Sequence, residues 1–183
     1  MPDRSFNSPS VPAIAFVGVS GSGKTTLAEK VIERLTAKGY RVGAVKHHGH
    51  RGFDIDIEGK DSWRMTQAGA QHTVLVSPDR IAAYRSLPEG EEPPIEAVVQ
   101  TMHDVDVVVV EGYKHSGIPS IELHRAANCR QGDPSPLLNP GRAIAVVTDI
   151  PSLQADADKR GLPVFAFDDV EGVVTFIEER VIR

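Results

Sequence analysis

Short apolar runs alternate along this chain with longer segments whose apolar residues recur every three or four positions. Ala13–Val17 is an unbroken apolar run ended by Gly18, the pattern of a strand buried on both faces. Leu27, Val31 and Leu35 fall four apart, with Ala28 and Ile32 beside them. They predict an amphipathic helix from about Lys24, stopped by Gly39. Arg41–Lys46 reads as a second strand leading into a polar stretch, His47–Gly59. Asp61 or Ser62 is expected to cap a helix running to about Ala68, with Gly69 ending it. His72–Ser77 and Arg80–Arg85 resemble two strands joined by a Ser77-Pro78-Asp79 turn, and Pro93 opens a helix to about His103. Val105–Val110 is the clearest buried strand, followed by Ser120–His124, Arg142–Thr148 and Pro163–Phe167. Asp168 or Asp169 caps a closing helix that lines up Val170, Val173, Val174, Ile177 and Val181. The alternation predicts a three-layer α/β fold: a mainly parallel sheet, helices on both faces, and a ligand at the carboxyl ends of the strands.

Length and composition narrow this further. The 183 residues, 40% of them hydrophobic, suit one domain over residues 13–183, preceded by a polar, Ser- and Pro-rich tail, 1–12, expected to be disordered. A net charge of −5 without a Lys/Arg cluster argues against nucleic-acid binding. The single cysteine, Cys129, leaves no intramolecular disulfide and suits a reducing cytoplasm. The longest apolar runs fall far short of the roughly 20 residues of a membrane span.

The segment Gly18-Val19-Ser20-Gly21-Ser22-Gly23-Lys24-Thr25, followed by Thr26, has the spacing G-x-x-x-x-G-K-[ST] between a strand and a helix. Glycines there leave room for backbone N–H groups to turn around an anion at the positive end of the helix. Lys24 would reach the β- and γ-phosphates and Thr25 would ligate Mg²⁺, which defines a P-loop NTPase. Charge-assisted hydrogen bonds of about 1.5–3 kcal/mol each support micromolar binding. Phosphoryl chemistry also needs a carboxylate near the metal. Glu111, closing the Val105–Val110 strand, is the better candidate, because Asp106 lies at the opposite end. Asp54 and Asp56, two apart, would face the metal and γ-phosphate together in an extended segment. Asp149 follows the strand ending at Thr148 and could accept from guanine, although the motif Asn-Lys-x-Asp is absent. Lys46, His47 and His50, with Lys114 and His115, suit an anionic second ligand; His47, His48 and His50 also invite a metal reading.

Lys46-His47-His48-Gly49-His50, the run Asp54–Ser62 containing Gly59-Lys60-Asp61-Ser62, Ala68-Gly69-Ala70, and Glu111-Gly112-Tyr113-Lys114-His115 together resemble the molybdopterin-guanine dinucleotide biosynthesis protein B (MobB) family, over about residues 13–182. The resemblance implies a homodimeric, GTP-binding adaptor with slow GTPase activity. It also implies molybdopterin or its carrier as a ligand, and as partner the molybdenum cofactor guanylyltransferase that joins GMP to molybdopterin. A small-molecule kinase is the first alternative. It would want several arginines in a lid, and the candidate lid, Ala126–Gly141, offers only Arg130, with Arg125 just before it. A nickel-type metallochaperone GTPase is the second alternative, and a non-enzymatic nucleotide-dependent binding module the third.

Overall fold

The computed structural model describes residues 11–49, 55–88, 90–128 and 141–183. Most of the N-terminal tail, His50, Asp54, Cys129, Arg130 and most of the candidate lid lie outside the described residues. The chain divides into two compact units, one spanning His48–Pro93 and the other comprising the remainder.

The larger unit is a six-stranded, wholly parallel sheet. Its strands are β1 (Ala13–Gly18), β2 (Val42–Lys46), and, beyond the smaller unit, β5 (Val107–Glu111), β6 (Ser120–His124), β7 (Ala143–Thr148) and β8 (Val164–Phe165). They lie in the order β2-β5-β1-β6-β7-β8. Helix α1 (Lys24–Ala37) and the closing helix α5 (Val170–Ile177) cover one face. There Leu27, Val31, Leu35, Val173 and Ile177 pack on Ile14, Phe16, Val109, Ile121 and Val147. Arg34 and Lys38 reinforce that helix pair through Glu171 at 2.7 Å and Glu178 at 2.5 Å. On the other face, α3 (Ile95–Val99) buries Ile95 and Val99 against Val17, Val108 and Val110, while α4 (Pro151–Lys159) sets Leu153 and Ala157 on Val146. Each fully buried Val, Leu, Ile or Phe among them contributes about 1.5–3 kcal/mol. The three-layer, parallel architecture expected from the alternation is therefore the one observed.

The smaller unit holds α2 (Asp61–Gln67) and the antiparallel hairpin of β3 (His72–Val76) and β4 (Ile81–Arg85), closed where Ser77 N donates to Arg80 O. Its interior is polar: the Thr66 hydroxyl lies 3.1 Å from Thr73 Oγ1 and 3.2 Å from Tyr84 OH.

Four expectations change. The cap of α2 is Lys60, with no side-chain cap bond; Asp61 and Ser62 both fall inside the first turn, where Ser62 Oγ donates to Asp56. The helix expected over Pro93–His103 shrinks to Ile95–Val99, where only one short apolar face meets the sheet. Helix α4 carries no long apolar stripe and was not anticipated, although Pro151 is a natural first-turn residue. The strand expected over Pro163–Phe167 pairs only at Val164 and Phe165. At the closing helix, Asp169 caps by accepting from Gly172 N at 3.0 Å.

Asp106 sits just before β5 because its carboxylate accepts from Arg41 N, Nε and Nη2 at 2.8, 3.2 and 2.7 Å. The Arg41 guanidinium, then its amide, hold this carboxyl at about 2, below its ordinary 3.8. A depressed carboxyl contributes stability that is complete above its unfolded value and lost as pH falls through the folded one. Thermal melting of wild type and Arg41→Ala between pH 4 and 2 is expected to show a stability gap that narrows as the pH falls. A gap constant with pH would rule out this pairing.

Candidate functional site

The site grows from the junction of β1 and α1. At Gly18 a Cβ would lie 2.5 Å from Leu123 O of the neighbouring strand and 2.6 Å from Ser22 Oγ, so only glycine lets the chain leave β1 this close to β6. Ser22 is fully buried and its hydroxyl has no hydrogen-bond partner. Gly23, at φ 93°, is the cap of α1 and provides no side chain to its first turn. The earliest hydrogen bond of the helix runs from Leu27 N to Gly23 O, which leaves the amides of Lys24, Thr25 and Thr26 without helical partners. Those amides, with the helix dipole, suit an anion.

Parallel register supplies the acidic side of the site. Lys46 and Glu111 are in-register partners on β2 and β5, and Glu111 is also level with Phe16 on β1. Their side chains meet: Lys46 Nζ lies 2.9 Å from Glu111 Oε2, and Thr25 Oγ1 donates to the same oxygen at 3.0 Å. Lys24 Nζ donates to Val19 O at 2.8 Å, within the loop. Burial pushes the Lys24 ammonium down, nearby Lys46 adds to this, and Glu111 opposes it. Thr25 and Lys46 thus meet at Glu111, with Lys24 nearby; the sequence pattern had set Lys46 apart, beside an anionic second ligand.

The other residues singled out in the sequence are placed as follows. Ser20 offers its carbonyl to Asn128 Nδ2 at 2.8 Å. His47, following Lys46, packs its ring on Tyr113 at 4.5 Å between centroids. Lys114 and His115 are exposed beyond β5. Asp149 Oδ1 accepts the backbone amide of Ala126 at 2.6 Å. Asp56 belongs to the smaller unit, where it accepts from Ser62 Oγ at 2.9 Å, Ile57 N at 2.8 Å and Tyr84 OH. The Tyr84 bond chiefly, then those from Ser62 and Ile57, hold its carboxyl below the ordinary value. Among the described residues no group of three or more His, Cys, Asp or Glu is disposed to hold a metal ion. No described helix is long and apolar enough to cross a membrane.

Asn128 and Phe167 escaped the sequence analysis. Asn128 is in a 3-10 turn, Ala126–Asn128, after β6, and Phe167 lies just beyond β8. Neither belongs to a spaced motif, so only the strand order could have brought them to the loop.

Residues 13–149 match the family model for molybdopterin guanine dinucleotide synthesis protein B. The chain belongs to this family. It is 36% identical over 171 residues to the molybdopterin-guanine dinucleotide biosynthesis adapter protein of Escherichia coli K12, covering 92% of this chain and 93% of that one. It is 41% identical over 120 residues to the Haemophilus influenzae protein of the same name, covering 66% and 67%. Among solved structures, a molybdopterin-guanine biosynthesis protein B (MobB) superposes with TM-score 0.64 at 29% identity, covering 91% of this chain and 98% of that one. The Bacillus subtilis MobB structure, at 24% identity and TM-score 0.68, covers 93% and 98% and shares the fold. The residues matched by the family model take in the phosphate loop and strands β1 to β7.

Gly18→Ala is expected to cost about 1–3 kcal/mol of stability, as overpacking against backbone does. Chemical denaturation checks it; a midpoint equal to wild type would show that β1 and β6 can separate there without strain.

Proposed function

We propose that this member of the MobB family binds GTP with Mg²⁺ at the loop Gly18–Thr25 and hydrolyses it slowly. On this reading it works as an adapter in molybdopterin guanine dinucleotide biosynthesis, as the E. coli and H. influenzae relatives are named. The observation that carries the nucleotide reading is the meeting of Thr25, Glu111 and Lys46 beside the unpartnered first-turn amides of α1. The loop amides cradle the phosphates and Lys24 exchanges its bond to Val19 O for phosphate oxygen. The donor set Thr25 Oγ1 and Glu111 carboxylate is all oxygen, which fits a hard cation such as Mg²⁺. Mg²⁺ supplies charge neutralisation on the β- and γ-phosphate oxygens. Glu111, held between Thr25 and Lys46, orients a water for attack, and Lys46 limits the negative charge left on that carboxylate. Lys114 and His115, exposed after the same strand, and Lys46 at its neighbour form a border of hydrogen-bond donors for molybdopterin or its carrier. The guanylyltransferase that joins GMP to molybdopterin is the proposed partner, and the chain acts as a homodimer.

Nucleotide titrations test the central claim. GTP is expected to bind at least about tenfold more tightly than ATP, a difference of roughly 1.4 kcal/mol. Lys24→Ala should abolish triphosphate binding while the circular dichroism and melting curve stay native; retained affinity in that variant would refute the cradle. Turnover of the isolated protein is expected below roughly 1 s⁻¹, the lower end of ordinary enzymes. Faster hydrolysis would favour an autonomous enzyme over an adapter.

A further inference from the structure

The triphosphate reading leaves one side of the phosphate loop unused. In the strand order, β5 and β2 lie on one side of β1 and carry Glu111 and Lys46; β6, β7 and β8 lie on the other. On that second side the residues after three successive strands converge. Arg125, after β6, stacks its guanidinium over the Phe167 ring, 3.9 Å from the centroid. Both groups also border Gly23: a Cβ there would lie 3.2 Å from Arg125 Nη2 and 3.6 Å from Phe167 Cε1. The turn that follows Arg125 is tied at two points. Asn128 Nδ2 donates to Ser20 O of the phosphate loop at 2.8 Å, and Asp149, after β7, accepts the Ala126 amide at 2.6 Å. Asn128 N donates to Arg125 O at 2.9 Å, which closes the turn.

We propose that the Arg125–Phe167 stack is a platform for the nucleoside end of the bound nucleotide, and that Asp149 is a positioning residue that holds this platform against the phosphate loop. The proposal rests on the reading that the loop holds a triphosphate. Metal and terminal phosphates belong with Thr25 and Glu111 on the β5 side, so the nucleoside extends toward β7 and β8. A guanidinium layered on a phenyl ring offers a flat cationic π surface, and both residues are half-buried, so the stack is partly ordered before a base arrives. Stacking of this kind is indifferent to the identity of the base, because every base has a π face. Arg125 therefore contributes affinity for nucleotides in general. Asp149 already commits one oxygen to Ala126 and acts on affinity through the turn. An asparagine in its place would keep an acceptor for that amide.

The test compares GTP, ATP and inorganic triphosphate by calorimetry on wild type and on Arg125→Ala, Arg125→Lys, Asp149→Asn, Asp149→Ala and Lys24→Ala, with melting curves as a check of folding. Arg125→Ala should weaken GTP and ATP alike by roughly tenfold, in line with loss of one base stack, and leave inorganic triphosphate unchanged. Arg125→Lys, which keeps charge and loses the planar stack, should fall between. Asp149→Asn should bind both nucleotides as wild type does, whereas Asp149→Ala should weaken both. Unchanged nucleotide affinity in Arg125→Ala, or an equal loss for inorganic triphosphate, would overturn the platform. Selective loss of GTP in Asp149→Asn would make Asp149 a base reader and overturn its positioning role. If Arg125→Ala has no effect while Lys24→Ala abolishes binding, the platform alone fails. If wild type binds none of the three ligands, the triphosphate reading fails and the platform with it.

Discussion

Everything at the site depends on the register of three parallel strands. β5, β1 and β6 are in register so that Glu111 is opposite Phe16 and Gly18 is opposite Leu123. Because strand side chains alternate faces, a slip of one residue would turn Glu111 away from Thr25 and bring a side chain against Ser22. That register is maintained by apolar burial on both faces of the sheet, from Phe16 and Val109 under α1 to Val17 and Val108 under α3. The core thus serves the loop directly: it sets where the last residue of each strand emerges.

The polar groups at those strand ends divide the labour by position. Glu111 and Lys46 face Thr25 from the β5 and β2 side, and their mutual ion pair at 2.9 Å keeps an acid and a base beside the loop at little net charge. On the far side, Asn128 donates to Ser20 O of the loop, and Asp149, after β7, accepts the Ala126 amide of the same turn. The loop is held by its neighbours from both directions, and Lys24 is held by the loop itself through Val19 O. Such preorganisation would lower the ordering cost of the anion binding proposed for the loop. In the smaller unit, Asp56 has a comparable local task, joining the start of α2 to β4 through Ser62 and Tyr84.

What could be read from the chain follows from which signals are local. The strand before the phosphate loop, the helix after it, the hairpin at Ser77–Arg80 and the Asp169 cap all depend on residues within a few positions of one another. Each was legible. Helix α4 was not, because it buries only Leu153 and Ala157 and its polar faces carry no period. Ser62 also misled: the helix begins at Asp61, so Ser62 lies inside its first turn rather than at the cap, and its hydroxyl donates to Asp56.

By itself, the sequence determined that a phosphate loop sits between a buried strand and an amphipathic helix, and that Glu111 closes a strand. Glycine spacing, one lysine and one hydroxyl are the local signals from which an anion cradle is proposed, all of them within eight residues. Only the tertiary structure decided which distant residues share that cradle. Lys46 meets Glu111 through β2–β5 register, and Arg125 meets Phe167 because β6 and β8 end on the same edge. Strand order is set by packing across the whole sheet, a non-local property, and no spacing along the chain encodes it.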